Sequence, residues 1–130
     1  METAEKNQIK QLFAAYSEVK LAYFFGSRKN DKSGPMSDFD FAIYLDSKDR
    51  KKMIEIQLEL ISKLSQILQT DNLDLVLLNS AYSDLKYQAI TDGEVLFERQ
   101  PYKTIIEPQI LDEYFDHQIT LKQFNLTRIK

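Results

Sequence analysis

The sequence has no cysteine and a single histidine in 130 residues. Without cysteine there is no disulfide framework, no zinc knuckle and no thiol nucleophile, and His117 alone cannot build a histidine-rich metal site. Any metal site must therefore use oxygen ligands. No stretch approaches the roughly 20 apolar residues of a membrane span, and the charged opening METAEKNQIK lacks the apolar centre of a secretory leader. The expected setting is the cytoplasm, away from membranes. Positive charge is not in surplus either: 17 Lys and Arg face 20 Asp and Glu, a net charge of −3. Binding that coats nucleic acid rests on neutralising phosphates, so no direct nucleic-acid partner is expected. The only basic cluster, KDRKK at 48–52, reads as the solvated first turn of a helix with Asp49 inside it. No internal repeat or low-complexity tract interrupts the chain.

At this length a single small domain can support its own core without staples. Ile9, Leu12, Phe13 and Tyr16 recur at helical spacing, so the first twenty residues read as an amphipathic helix covering a sheet. LAYFFGS, residues 21–27, reads as a buried strand stopped by Gly26, followed by a polar loop holding the Gly34-Pro35 breaker. DFDFAIYL, residues 38–45, alternates, with Phe39, Phe41, Ile43 and Leu45 on one face and Asp38, Asp40, Ala42 and Tyr44 on the other. A long helix is predicted from Ser47, taken as its N-cap, to about Thr70. Its apolar stripe of Met53, Ile56, Leu60, Leu64 and Ile67 is widened by Ile54, Leu58, Ile61 and Leu68. That is broader than one sheet face requires and favours a partner surface.

LDLVLLN, residues 73–79, reads as a buried strand that the helical crossover lays parallel to the previous one. A helix capped by Ser80 or Ser83 and ended at Asp92-Gly93 comes next, then a strand, EVLFE, at 94–98. Pro101 and Pro108 punctuate a connector, and Pro108 opens a final helix reaching about Phe124. The organisation expected is a domain over residues 1–100 and a C-terminal connector and helix over 101–130, either packed on that domain or binding a partner. Tyr44 and Tyr82 read as strand and core packing residues, with stacking on a base or accepting a transferred group as the competing role. His117 reads as a surface or packed residue.

The chemistry concentrates at two points. Asp38 and Asp40, two residues apart on a strand, point to one face and can share a cation. Asp74 opens an apolar strand, where an isolated acid costs free energy unless it is paired or ligates something. If the two strands are adjacent and parallel, the three acids converge, and their mutual repulsion calls for a hard divalent cation such as Mg²⁺, held jointly with substrate phosphates. The structural alternative makes Asp38 a turn cap after Pro35 and Asp74 a plain ion-pair partner. Gly26-Ser27 ends the earlier strand, where backbone N–H groups and a hydroxyl can approach phosphate oxygens, and Arg28 follows as a further phosphate contact.

Through FFGSRKNDKSGPMSDFDFAIYL and the later LDLVLLN, the chain resembles the minimal nucleotidyltransferases of the polymerase β superfamily, most of all the small MNT antitoxins paired with HEPN toxins. The resemblance is specific over about residues 20–80. It implies an α/β (α+β) fold of the polymerase β-like nucleotidyltransferase type, a small mixed sheet flanked by helices. It also implies a Mg²⁺-dependent protein adenylyltransferase. Asp38 and Asp40 would ligate two Mg²⁺ ions, with Asp74 completing the triad and polarising the incoming hydroxyl. Gly26 and Ser27 would hold the phosphates of ATP. The acceptor implied is a tyrosine of a cognate HEPN ribonuclease toxin, held in a hetero-oligomeric complex and disabled by the added AMP. The loop departs from the commonest family form, which has Arg-Gly a few positions after Gly-Ser, where RKNDKSGP stands here. Two other readings stand beside this one: an antitoxin that neutralises its partner by occlusion alone, and a small-molecule nucleotidyltransferase, which usually needs an additional helical domain.

Overall fold

In a computed structural model, residues 1–25 and 39–124 are described. Strand β1 (Val19–Phe25) is apolar along nearly its whole length because it lies inside the sheet and is covered on both faces. It pairs antiparallel with β2 (Phe39–Leu45) on one side and with β4 (Glu94–Glu98) on the other, and β3 (Leu73–Leu77) adds parallel to β2. The order is β3-β2-β1-β4, a mixed sheet of four strands among the described residues.

Helices cover both faces. Helix α1 (Thr3–Ala14) buries Ile9 and Phe13, and α2 (Arg50–Leu68) buries Ile56, Leu60, Leu64 and Leu68. Both pack on Phe24, Phe39, Phe41, Ile43, Leu45 and Leu75. On the opposite face α3 (Ser83–Asp92) contributes Ala89, and α4 (Tyr102–Gln123) contributes Ile106 and Ile110, packed on Leu21, Tyr23, Phe25 and Ala42. The strand alternation expected for residues 39–45 holds: Phe39, Phe41, Ile43 and Leu45 share the first layer, Ala42 and Tyr44 the second. In β1 the period is broken once. Val19 and Leu21 sit in different layers because a bulge between them shifts the register. The α1 end is fastened by Arg99, whose guanidinium donates to the carbonyls of Ala14 (2.9 Å) and Val19 (3.0 Å).

Several helix boundaries differ from the sequence reading. Asp49, not Ser47, caps α2: its carboxylate accepts from Lys51 N (3.1 Å) and Lys52 N (3.3 Å), while the Ser47 hydroxyl accepts from Asp49 N (3.1 Å) and shapes the approach. The carboxylate wins because it opposes the helix dipole and three following cations. Asp49 therefore precedes the basic turn instead of lying inside it. Neither Ser80 nor Ser83 caps α3. Tyr82 occupies that position, and the buried Ser83 hydroxyl has no partner among the described residues. Gly93 ends α3 as expected: a Cβ there would collide with the carbonyl oxygen of Ala89. The last helix starts at Tyr102 and holds Pro108 in its interior. Ile106 and Ile110, buried on either side of the proline, anchor that turn to the sheet despite the lost backbone hydrogen bond. Beyond Ile110 no described residue of α4 is buried. Among the described residues no helix is long and apolar enough to cross a membrane.

Candidate active site

The parallel pairing of β2 with β3 sets Asp40 directly beside Asp74. Paired residues on neighbouring strands point to the same face, with backbones about 4.8 Å apart. Both carboxylates lie at the start of their strands, on the layer shared by Ala42 and Val76. On the other side Asp40 stands opposite Phe25, the last residue of β1. Gly26 follows Phe25 in sequence and Asp38 precedes Phe39. The predicted residues Gly26, Ser27, Arg28 and Asp38 lie outside the described residues.

The environments of the two acids differ. Asp40 is only 7% exposed, the sole buried charged side chain among the described residues, whereas Asp74 is exposed. No described residue donates a hydrogen bond or an ion pair to the Asp40 carboxylate. Burial, followed by the charge of Asp74, pushes its pKa up to about 6. This is the signature of a carboxylate short of a counter-charge. Oxygen-only donors that repel one another suit a hard divalent cation, so the pair fits Mg²⁺. Among the described residues no group of three acids or imidazoles forms a metal cluster; Asp40 and Asp74 are a pair.

Asp74 also lines a groove of about 620 Å³ that follows β3 between α2 and the start of α3, with Arg50, Ile54 and Tyr82 on its walls. Sequence reasoning did not assemble this groove, because three separate elements form it. Its one signal was the excess breadth of the α2 stripe: of the four extra positions Ile54 and Leu58 are 42% and 60% exposed, while Leu68 is buried and Ile61 packs against the core. Tyr82 is not a packing residue as expected but 87% exposed. Tyr44 is half-buried against Tyr102, with ring centroids 6.1 Å apart. His117 is exposed on α4 and away from the acids.

A buried and an exposed carboxylate in register on adjacent strands can hold a divalent cation between them. The family model for polymerase beta nucleotidyltransferases matches residues 7–102, and the chain belongs to this family. Among solved structures it is similar to a toxin–antitoxin pair with AMP-PNP, at 26% identity over 92% of this chain and 94% of that chain, with a TM-score of 0.73. It is similar also to the tri-AMPylated HEPN toxin of Shewanella oneidensis in complex with its MNT antitoxin, at 25% identity over 95% of each chain and a TM-score of 0.73. The toxin–antitoxin MntA–HepT aligns at 26% identity over 95% of each chain, with a TM-score of 0.72. All three are toxin–antitoxin complexes. No match was found among curated proteins.

Proposed function

We propose that this chain is an adenylyltransferase antitoxin, moving AMP from ATP to a tyrosine hydroxyl of a HEPN-type toxin with which it forms a hetero-oligomeric complex. The observation that carries this reading is the Asp40–Asp74 pair, in register on adjacent parallel strands, inside a polymerase β nucleotidyltransferase domain. The tri-AMPylated toxin of the similar complex supports the choice of acceptor, and AMP-PNP in the other supports ATP as donor. In this reading residues 1–100 are the transferase domain and 101–130 its C-terminal connector and helix, acting in the cytoplasm.

Asp38, Asp40 and Asp74 are assigned as the ligands of Mg²⁺, two ions in all. When bound, the metal offsets the negative charge that gathers on the phosphates during displacement. Gly26 and Ser27 are assigned to the phosphates through backbone N–H groups and a hydroxyl, with Arg28 adding a guanidinium. Asp40, held rigid in β2, supplies fixed negative charge at the buried side of the site. Asp74, on the exposed side, orients the tyrosine hydroxyl and accepts its proton. The tyrosine oxygen bonds to the α-phosphorus of ATP as the bond from that phosphorus to the bridging oxygen of the β-phosphate breaks, and pyrophosphate leaves. Negative charge and bulk added to the toxin's RNA site then repel RNA phosphate.

Intact mass spectrometry of the HEPN partner after incubation with this protein, ATP and Mg²⁺ tests the proposal. Mass gains in whole AMP units are expected, and none when Asp38→Asn and Asp40→Asn are combined. A stable complex without any gain overturns transfer in favour of neutralisation by occlusion.

A further inference from the structure

The transfer chemistry leaves two features of the sequence unused: the basic cluster at 48–52 and the outward apolar residues of α2. In the cluster, the Asp49 carboxylate is taken up by the helix cap and Lys52 by Glu18 at 2.9 Å. No described residue pairs with Lys48, Arg50 or Lys51. A chain of net charge −3 thus holds, at one helix start, three cations without an ion-pair partner among the described residues.

Of these, Arg50 lines the far end of the groove that begins at Asp74, and Lys48 and Lys51 flank it in sequence. Helix α2 runs back along the sheet, and Gln57 reaches the Leu75 carbonyl at 2.7 Å. Arg50, two turns earlier and about 10 Å back along the axis, therefore lies beyond the Leu77 end of the strand. Between the two ends Met53, Ile54, Val76 and Leu85 make the walls more apolar than polar, with Gln57, Asn79 and Ser80 among them, and Leu58 lies one turn further along the outer side of α2. Ile54 and Leu58 both count among the exposed large apolar side chains.

The groove does not invite an added strand, although β3 is an edge strand. The Leu75 carbonyl is occupied by Gln57, and the Leu77 carbonyl receives the backbone N–H groups of Ser80 (3.2 Å) and Ala81 (3.0 Å). With those acceptors closed, an occupant engages through side chains. An occupant matching this surface has apolar side chains for the middle and acidic ones for the basic end. It must also reach Asp74, whose exposed side opens into the groove.

We propose that this groove docks the protein acceptor itself. Resting on the transferase reading above, acceptor apolar side chains pack on Ile54, Leu58 and Tyr82, its acidic residues pair with Lys48, Arg50 and Lys51, and its hydroxyl is delivered at Asp74.

The test uses the full chain with its HEPN-type acceptor, ATP and Mg²⁺. Two groove variants, Arg50→Glu with Lys51→Glu, and Ile54→Asp with Leu58→Asp, are compared with Phe115→Ser on the exposed part of α4. All of these positions are exposed, and urea unfolding of each variant checks that the fold is kept. Both groove variants should raise the acceptor KM by about tenfold or more, leave kcat at saturating acceptor unchanged, and leave the thermal shift produced by Mg²⁺ with a nonhydrolysable ATP unaltered. Added salt should raise KM for the wild type and much less for the charge-reversed variant. Wild-type KM in both groove variants, or a rise confined to Phe115→Ser, overturns the assignment. A wild-type chain that binds the acceptor but transfers no AMP defeats the transferase reading instead; docking is then read from affinity, and equal affinity of wild type and groove variants overturns it.

Discussion

Replacing Asp40 by Asn should make the metal-free protein more stable while removing its proposed activity. The buried carboxyl has its pKa raised from 3.8 to about 6, by burial first and by the charge of Asp74 second. Between these two values the native state binds more protons than the unfolded chain, so stability falls as pH rises through the window and levels off above it. A rise of that size makes the ionised form cost the folded state about 3 kcal/mol. Asn keeps the shape and carries no charge at any pH. Urea unfolding in EDTA across this pH range should therefore show wild type and Asp40→Asn nearly equal below about pH 4 and separated by up to about 3 kcal/mol above about pH 7. For a domain of this size that gap is about 10 °C in thermal midpoint. Asp74→Asn removes only the second cause and should gain less. Mg²⁺ should close the gap by raising the wild type selectively. A variant no more stable than wild type at neutral pH, or a gap that does not change with pH, would refute the claim that Asp40 is held as an uncompensated buried charge.

Three further outcomes follow from packing and capping. Tyr23→Phe deletes the hydroxyl that donates to Glu107 at 2.6 Å, a bond between the central strand and α4. It should cost about 1.5–3 kcal/mol in chemical denaturation, with earlier hydrogen exchange in α4. Gly93→Ala forces a methyl group onto the Ala89 carbonyl oxygen and should cost about 1–3 kcal/mol, read as a lower urea midpoint at unchanged m-value. Asp49→Ala should lower stability by about 1 kcal/mol, and Ser47→Ala by clearly less; the reverse ranking in thermal melts would return the α2 cap to Ser47.

The strand positions were legible because the sheet's signals are local. Phe39, Phe41, Ile43 and Leu45 announce one buried face by alternation, and LDLVL announces a strand, although not the buried one expected: β3 lies at the sheet edge and only its Leu75 is buried. The parallel pairing that brings Asp40 beside Asp74 followed from the length of the helix between them, which cannot turn back as a hairpin. Helix starts were less legible, since Ser47 and Asp49 are both good caps and the choice between them turns on the charge of the carboxylate facing the helix dipole and the cations that follow. Pro108 misled for a similar reason: local preference places proline in a first turn, and the burial of Ile106 and Ile110 overrides it. The groove depends on α2, β3 and α3 meeting, a tertiary fact to which only the surplus apolar positions Ile54 and Leu58 gave a clue. Of the candidate residues, Asp40 and Asp74 fall among the described ones, and Gly26, Ser27, Arg28 and Asp38 do not.

The strand order also has a consequence for how the chain is made. Among the described residues the last strand to be synthesised, β4, docks against the first, β1, while the strands that carry Asp40 and Asp74 occupy the other half of the sheet. During vectorial synthesis β1, β2 and β3 can pair before β4 exists, yet Ala22 and Tyr23 keep one backbone edge unsatisfied until residues 95–97 arrive. Closure of that long-range pairing is thus the slow, entropy-limited step. A ribosome-stalled chain ending before Glu94 should present a native-like acidic half-sheet with an open β1 edge, a species for which a nascent-chain chaperone or a waiting partner would compete.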